Sequence, residues 1–259
     1  LAPVPSTPPI RPYRWLAEYY DLLFGMYENG FDPAREAILG PVLRSIETAC
    51  DLACGTGRTM LLFWRQGIRA EGVDLSPTMC RLARAKLRKE GFPAQVRCAD
   101  MRRFRLARRV DLVTCEYDAL NHVPEKSDLR RVARNVAQAL KPDGWFFFDV
   151  NTRLAFENNW SHTWMVEKPG VVMVMHGDYA PGEDRAWTNV DWFLRDKTNR
   201  WRRHREYVEE VCWSDREIRT ALKEAGFASV RAVDAAPFFQ SPFFQRGYRT
   251  FYLARKAER

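Results

Sequence analysis

No stretch of this chain approaches the roughly 20 consecutive apolar residues that a membrane-spanning helix needs. Histidine is scarce, with four in 259 residues, and the six cysteines include no Cys-x-x-Cys pair. The first absence leaves no candidate for a transmembrane helix. The second leaves no metal site to argue for and no disulfide framework, so Cys50, Cys54, Cys80, Cys98, Cys115 and Cys212 read as reduced thiols of a cytoplasmic protein. Residues 1–12, rich in proline, lack the apolar core of a signal peptide and are expected to form a disordered leader. What the chain does have is 46% apolar residues, enough for one large core, and a formal net charge of +8, a hint of a polyanionic partner.

Two helices are expected over residues 13–45, where Leu16, Tyr19, Tyr20, Leu23 and Phe24 and then Ala34, Ala37, Ile38 and Val42 recur at helical spacing, interrupted by Gly30 and Pro33. An α/β alternation follows. Strands are expected at 46–52, up to Asp74, at 95–98 and at 110–115, with helices at 59–66 and from Ser76-Pro77 to Gly91. Ser127 is expected to cap a helix running to Leu140, and Lys141-Pro-Asp-Gly144 to turn the chain into a fifth strand at 145–149. Over 151–213 three strand-like runs (171–175, 187–194 and 205–212) predict an antiparallel meander with no helix. Ser214-Asp215 then opens a helix ended by Gly226, before strands at 229–233 and 250–254. The division is thus a leader, an α/β core over 13–150, an insertion over 151–213, and a return to the core over 214–259.

The motif Asp51-Leu-Ala-Cys-Gly-Thr-Gly57 joins the first strand to the helix after it. Small residues in such a turn let a ligand approach the backbone closely, although a ligand-free turn uses the same residues. Asp74 lies 23 residues after Asp51 and Asp100 another 26 on, the spacing of successive βα units whose acidic ends share one sheet edge. With Leu140-Lys-Pro-Asp-Gly144 before Trp145-Phe-Phe-Phe-Asp149, the set resembles the class I S-adenosylmethionine-dependent methyltransferases over residues 46–150. A dinucleotide-binding domain fits less well, because Gly55-Thr-Gly57-Arg-Thr-Met60 has no third glycine.

The resemblance implies a Rossmann-like, mostly parallel seven-stranded sheet with helices on both faces. It implies S-adenosyl-L-methionine as cofactor, leaving as S-adenosyl-L-homocysteine. Asp51 would serve the amino-acid end, and Ala53, Cys54, Gly55, Thr56 and Gly57 the backbone cradle. Asp74, with Leu75 and Met79 nearby, would take the ribose hydroxyls, and Asp100 and Met101 the adenine. Glu116 would line the cleft. Leu16-Ala-Glu-Tyr-Tyr-Asp21 looks like the N-terminal helix that closes over the cofactor in small-molecule methyltransferases; Tyr20, or else Tyr13, would reach the cofactor's carboxylate.

Glu116-Tyr-Asp-Ala-Leu-Asn-His122 follows the fourth strand, where the methyl group would be presented. Histidine is the side chain most often used as a general base at neutral pH, so His122 is a candidate, with Tyr117, Asp118 and Asn121 to orient an acceptor; a histidine here also commonly packs against the next helix. The loop has no Asn/Asp-Pro-Pro-aromatic motif for planar amines, and Cys115 lacks a partner for cytosine C5 chemistry. The expected acceptor is therefore a small molecule, methylated on nitrogen or oxygen. Arg200-Trp-Arg-Arg-His-Arg205 keeps an RNA methyltransferase as an alternative, and a non-catalytic cofactor-binding subunit is another. The inserted strands are expected to form a lid or a homodimer surface. The repeated Pro-Phe-Phe-Gln of residues 237–245 is expected to close the core or to wall a pocket.

Overall fold

A computed structural model describes residues 15–24, 28–241 and 244–258; the expected leader and Tyr13 lie outside them. The central strand β1 (Thr48–Leu52) pairs in parallel with β2 (Arg69–Asp74) on one side and β4 (Val110–Cys115) on the other. Beyond them lie β3 (Val96–Cys98) and β5 (Leu140–Asn151), then β11 (Arg249–Lys256) and β10 (Phe227–Asp234), in the order β10-β11-β5-β4-β1-β2-β3. Only β11 runs against its neighbours. The order reverses between β1 and β4, and a sheet of this kind opens its ligand crevice at that point.

Both faces of the sheet are covered. Phe146 and Phe148 join α5 (Lys126–Ala139) and α7 (Asp215–Glu224) in one core, with Leu129, Val132, Ile218 and Leu222. Phe147 points the other way, with Phe251, into α2 (Glu28–Leu43), α3 (Arg58–Arg65) and α4 (Pro77–Lys89). Alternation along a strand apolar at every position is what burial on both sides requires. Ser76 caps α4 through the Met79 amide (3.3 Å), and Ser214 forms a reciprocal capping box with Glu217 at α7.

Three expectations need correction. Glu125, not Ser127, occupies the N-cap of α5: its extended backbone lets its carbonyl accept from Asp128 and Leu129, which leaves Ser127 inside the helix. The Lys-Pro-Asp-Gly segment does not separate helix from strand. It survives as a register shift within β5, with Asp143 left-handed at φ 58°. The insertion holds a helix, α6 (Arg153–Asn159), and four strands rather than three: β6 (Thr163–Lys168), β7 (Val171–Tyr179), β8 (Arg185–Arg195) and β9 (Trp201–Val211), paired antiparallel in that order.

One face of the inserted sheet packs on α1 (Leu16–Phe24), burying Leu23, Val171, Met173, Val190 and Trp192. Tyr19 stacks on Trp192 with ring centroids 6.1 Å apart, so it belongs to this packing. In the Phe-rich loop, Phe239 stacks on Phe244 at 3.8 Å and meets Phe31 edge-on, and Phe238 meets Phe251 edge-on; these rings close the core. All six cysteines are free thiols, five of them buried. Among the described residues no helix is long and apolar enough to cross a membrane.

Candidate active site

The glycine turn after β1 takes its shape from three left-handed residues, Ala53 (φ 59°), Gly55 (φ 51°) and Gly57 (φ 80°). A Cβ on Gly57 would lie 3.0 Å from that of Ala83, so α4 packs against the inner side of the turn. On Gly55 a Cβ would meet nothing within 4 Å; that side is open. Asp74, at the end of β2, accepts the Gly55 amide on one oxygen (2.9 Å) and the Ser76 amide on the other (2.8 Å). Burial raises its pKa, and the two amides oppose that. Next to it Leu75 is 61% exposed, while Met79 and Cys54 are buried behind the turn.

Asp51 is buried and accepts the Thr114 hydroxyl at 2.8 Å. Burial, reinforced by Glu116, pushes its carboxyl up to about 8. Thr56 donates to Asp21 of α1 (2.6 Å), and Lys86 of α4 bonds both (2.6 Å to Asp21, 2.9 Å to Thr56), which ties the N-terminal helix to the turn. Asp100 is gripped by the Arg102 guanidinium at 2.6 Å, which outweighs burial and holds the carboxyl below its usual range. Arg102 also reaches Asp128 at 3.0 Å, and the carbonyl of Met101 accepts from Asn135.

At the end of β4, Glu116 is buried in a two-pronged pair with Arg35 of α2 (3.0 and 2.6 Å), which also holds Asp32 at 2.7 Å. Tyr117 (φ 61°) and Asp118 (φ 52°) follow as consecutive left-handed residues without being glycine, a strain proteins keep where surroundings enforce it. The Tyr117 ring stacks on Phe31 at 4.0 Å, and its buried hydroxyl has no hydrogen-bond partner among the described residues. Arg249 of β11 binds Asp118 at 2.9 Å and also Asp149, and its guanidinium lies over the rings of Phe31 and Phe244. The Asp118 amide donates to Asp149 at 2.9 Å. Burial lifts the Asp149 carboxyl to about 7 against the pull of Arg249.

Asn121, expected at the reacting centre, has other work. Its amide donates to the carbonyls of Asn151 (3.0 Å) and Val211 (2.9 Å), and its oxygen accepts the Asn151 amide (3.0 Å), so it clamps loop, β5 and β9 together. His122 is half-buried, and its Nδ1 lies 3.1 Å from the carbonyl oxygen of Glu209. A carbonyl can only accept, so Nδ1 carries a hydrogen. Tyr20 lies beside Tyr117, Asp118, Arg249 and Asp149; removal from water raises its pKa, and Tyr117 and Asp118 add to the shift.

The sequence offered no carboxylate cluster, yet the fold assembles one. Asp118, His122 and Glu210 each bring a ligand atom within 4.8 Å of the others, Glu210 arriving on β9. Glu210, Arg249 and Arg35 were all missed. Arg35 and Arg249 sat in plain view beside the apolar runs of α2 and β11, where a basic residue drawn into the core needs an acidic partner.

A sheet with this order, a left-handed glycine turn after β1 and acidic residues at the ends of β1 and β2 make up the class I methyltransferase fold, and the protein is an S-adenosylmethionine-dependent methyltransferase. Residues 49–144 match the family described as Methyltransferase domain. The chain is similar to an S-adenosylmethionine-dependent methyltransferase of Clostridium acetobutylicum, with TM-score 0.77 and 24% identity, covering 93% of this chain and 98% of that one. It is 30% identical over 146 residues to dTDP-4-amino-2,3,4,6-tetradeoxy-D-glucose N,N-dimethyltransferase of Saccharopolyspora spinosa, covering 51% of this chain and 55% of that protein. Over 104 residues it is 30% identical to ubiquinone biosynthesis O-methyltransferase of Coxiella burnetii, 40% of this chain and 43% of the relative.

Proposed function

We propose that the enzyme methylates a nitrogen or oxygen of a small-molecule metabolite, with His122 as the general base. The observation that carries this reading is the 3.1 Å contact between Nδ1 of His122 and the Glu209 carbonyl, which fixes the orientation of the ring in the loop after β4. The relatives that act on an amino sugar and in ubiquinone biosynthesis support an acceptor of this size.

S-adenosylmethionine fits the residues present. The side of Gly55 is open, Leu75 offers an exposed apolar lip, each oxygen of Asp74 has spent one lone pair on an amide, and the Tyr117 hydroxyl is buried without a partner among the described residues. Asp74 would hold the ribose diol, Gly55 and Gly57 would admit the chain of the amino acid, and Asp51 and Glu116 would face its ammonium. Asp100 would take the adenine amine while sharing its carboxylate with Arg102. When bound, the cofactor supplies a methyl group on a cationic sulfur. The residues of the chain align and deprotonate the acceptor: Tyr117 and Tyr20 border it, Arg249 fixes Asp118, and His122 takes the proton.

In this reading residues 13–150 and 214–259 form the donor-binding core, and 151–213 a lid that doubles as a homodimer surface, since Met165 and Trp201 stand exposed there. The enzyme works in the cytoplasm. The RNA alternative loses support because Arg203 and Arg205 both grip Asp191 at 2.8 to 2.9 Å instead of presenting free charge. The test is transfer of labelled methyl groups into a metabolite extract. His122→Asn is expected to lower kcat by about a hundredfold or more while S-adenosylhomocysteine still binds; full turnover by that variant would reject His122 as the base.

A further inference from the structure

Two of the six free thiols meet at the β3 edge of the central sheet. Asp74, the last residue of β2, pairs with Cys98, the last residue of β3, and Cys80 reaches both strands from the start of α4. The Cys80 Sγ lies 3.5 Å from the carbonyl oxygen of Asp74 and 3.6 Å from that of Arg97, while the Cys98 Sγ lies 3.5 Å from that of Leu75. The two side chains are also hydrogen-bond partners of each other. They differ in access: Cys80 is 0% exposed, whereas Cys98 stands open to solvent. Cys50, Cys54, Cys115 and Cys212 are buried, so Cys98 is the thiol that a reagent in solution meets first.

We propose that Cys80 and Cys98 are a redox modification site: a small-molecule disulfide converts them to a cross-link, and the cross-link weakens the hold on the cofactor at Asp74 and Leu75. The second half rests on the reading of Asp74 as the holder of the ribose diol. Cys98 reacts first because it is accessible, and Cys80, held against it, is the resolving thiol. Burial, then Asp74 and Cys98, push the Cys80 thiol up to about 12, so it keeps its proton until the partner sulfur has been oxidised.

The Cys98 thiolate attacks one sulfur of the small disulfide, whose S–S bond breaks and releases a thiolate. Cys80 then attacks the Cys98 sulfur of the mixed disulfide and displaces the second thiolate. Two protons pass from the protein thiols to the thiolates released; two protein thiols are oxidised and one disulfide is reduced to two thiols. Bond formation draws the sulfurs to about 2.05 Å and removes both S–H donors. The Asp74 carbonyl keeps the Ala99 amide at 2.8 Å, but the Leu75 carbonyl loses the Cys98 thiol. Between those two carbonyls the backbone carries the Asp74 carboxylate and the exposed Leu75 side chain, and the N-cap of α4 follows at Ser76. Pulling Cys80 towards β3 therefore displaces the backbone that aims the Asp74 carboxylate.

The test treats the full chain with oxidised glutathione, blocks the remaining thiols with iodoacetamide and digests with trypsin, which cuts after Arg81 and Arg97 and so separates residues 70–81 from 98–102. Mass spectrometry is expected to find these two peptides cross-linked, and dithiothreitol to split them. Calorimetry on the same samples should show S-adenosylhomocysteine binding weakened roughly tenfold, one hydrogen bond's worth, and restored by dithiothreitol. In Cys98→Ser, which keeps a donor for the Leu75 carbonyl, the oxidant should leave affinity unchanged. Glutathione retained on Cys98, or Cys98 recovered alkylated, overturns the site. A cross-link with unaltered affinity, or equal weakening of Cys98→Ser by the oxidant, overturns its effect on the cofactor. A reduced protein that binds no S-adenosylhomocysteine rejects the placement of Asp74 at the ribose and the weakening with it, while the peptides still decide whether the bond forms.

Discussion

Asp51 shows how one residue couples the cofactor turn to pH. Its folded-state pKa of about 8 lies above that of an unfolded carboxyl, so the folded protein holds the proton more tightly. Stability from this group is complete below about pH 4 and is lost as the pH rises towards 8, at no more than about 1.4 kcal/mol per unit. In urea titrations Asp51→Asn should flatten the decline between pH 5 and 7.5; an unchanged slope would mean that Asp51 titrates normally. Gly55 separates stability from binding. Gly55→Ala places a methyl group in open space at a left-handed φ, costing roughly 1–2 kcal/mol of backbone strain, yet it should abolish S-adenosylhomocysteine binding in calorimetry. Intact affinity would move the cofactor off this side of the turn. Asp51, Gly55 and Asp74 were legible in the sequence because one short motif and its spacing carry them. Glu210 and Arg249 were not, since they reach Asp118 from 92 and 131 residues away and no local pattern marks such a meeting.

Elements report how strongly the acceptor loop is held. Arg249 is the strap from β11 to the ends of β4 and β5, and removing it leaves Asp149 buried without its cation. Arg249→Met should destabilise the protein by about 3–5 kcal/mol, as for a buried pair that loses one partner. Adding Asp149→Asn should recover part of that loss in chemical denaturation, and additive effects would show that the strap carries no coupling. Element type was readable wherever apolar period and caps agreed, as at Ser76-Pro77 and Ser214. It was unreadable where an element was too short to show a period. α6 spans two turns, and β6 is an edge strand whose alternate residues stay exposed, so neither produced an apolar signal. The cap at Glu125 was hidden for another reason: its carbonyl does the capping, and its side chain takes no part.

At the scale of the molecule, many basic residues are held in ion pairs, although the net charge stays at +8. Arg203 and Arg205 close on Asp191, Lys86 on Asp21, Arg130 on Glu224 and Arg81 on Glu18. With these cations paired, no submicromolar binding to a 20-nucleotide RNA is expected by fluorescence anisotropy at about 0.15 M salt despite the net charge of +8. Submicromolar, steeply salt-dependent binding would restore the RNA alternative. Sedimentation should find a dimer that Met165→Arg dissociates, if the exposed face of the inserted sheet is the contact. That sheet also contributes Glu210, so one contiguous stretch of chain, 151–213, brings its own side chain to Asp118 and His122 while the turn after β1 lies wholly outside it. Under the proposed function, acceptor choice is in this sense a cartridge. Exchanging the stretch with that of a relative should transplant taste for one metabolite into another enzyme without disturbing how the methyl group is carried.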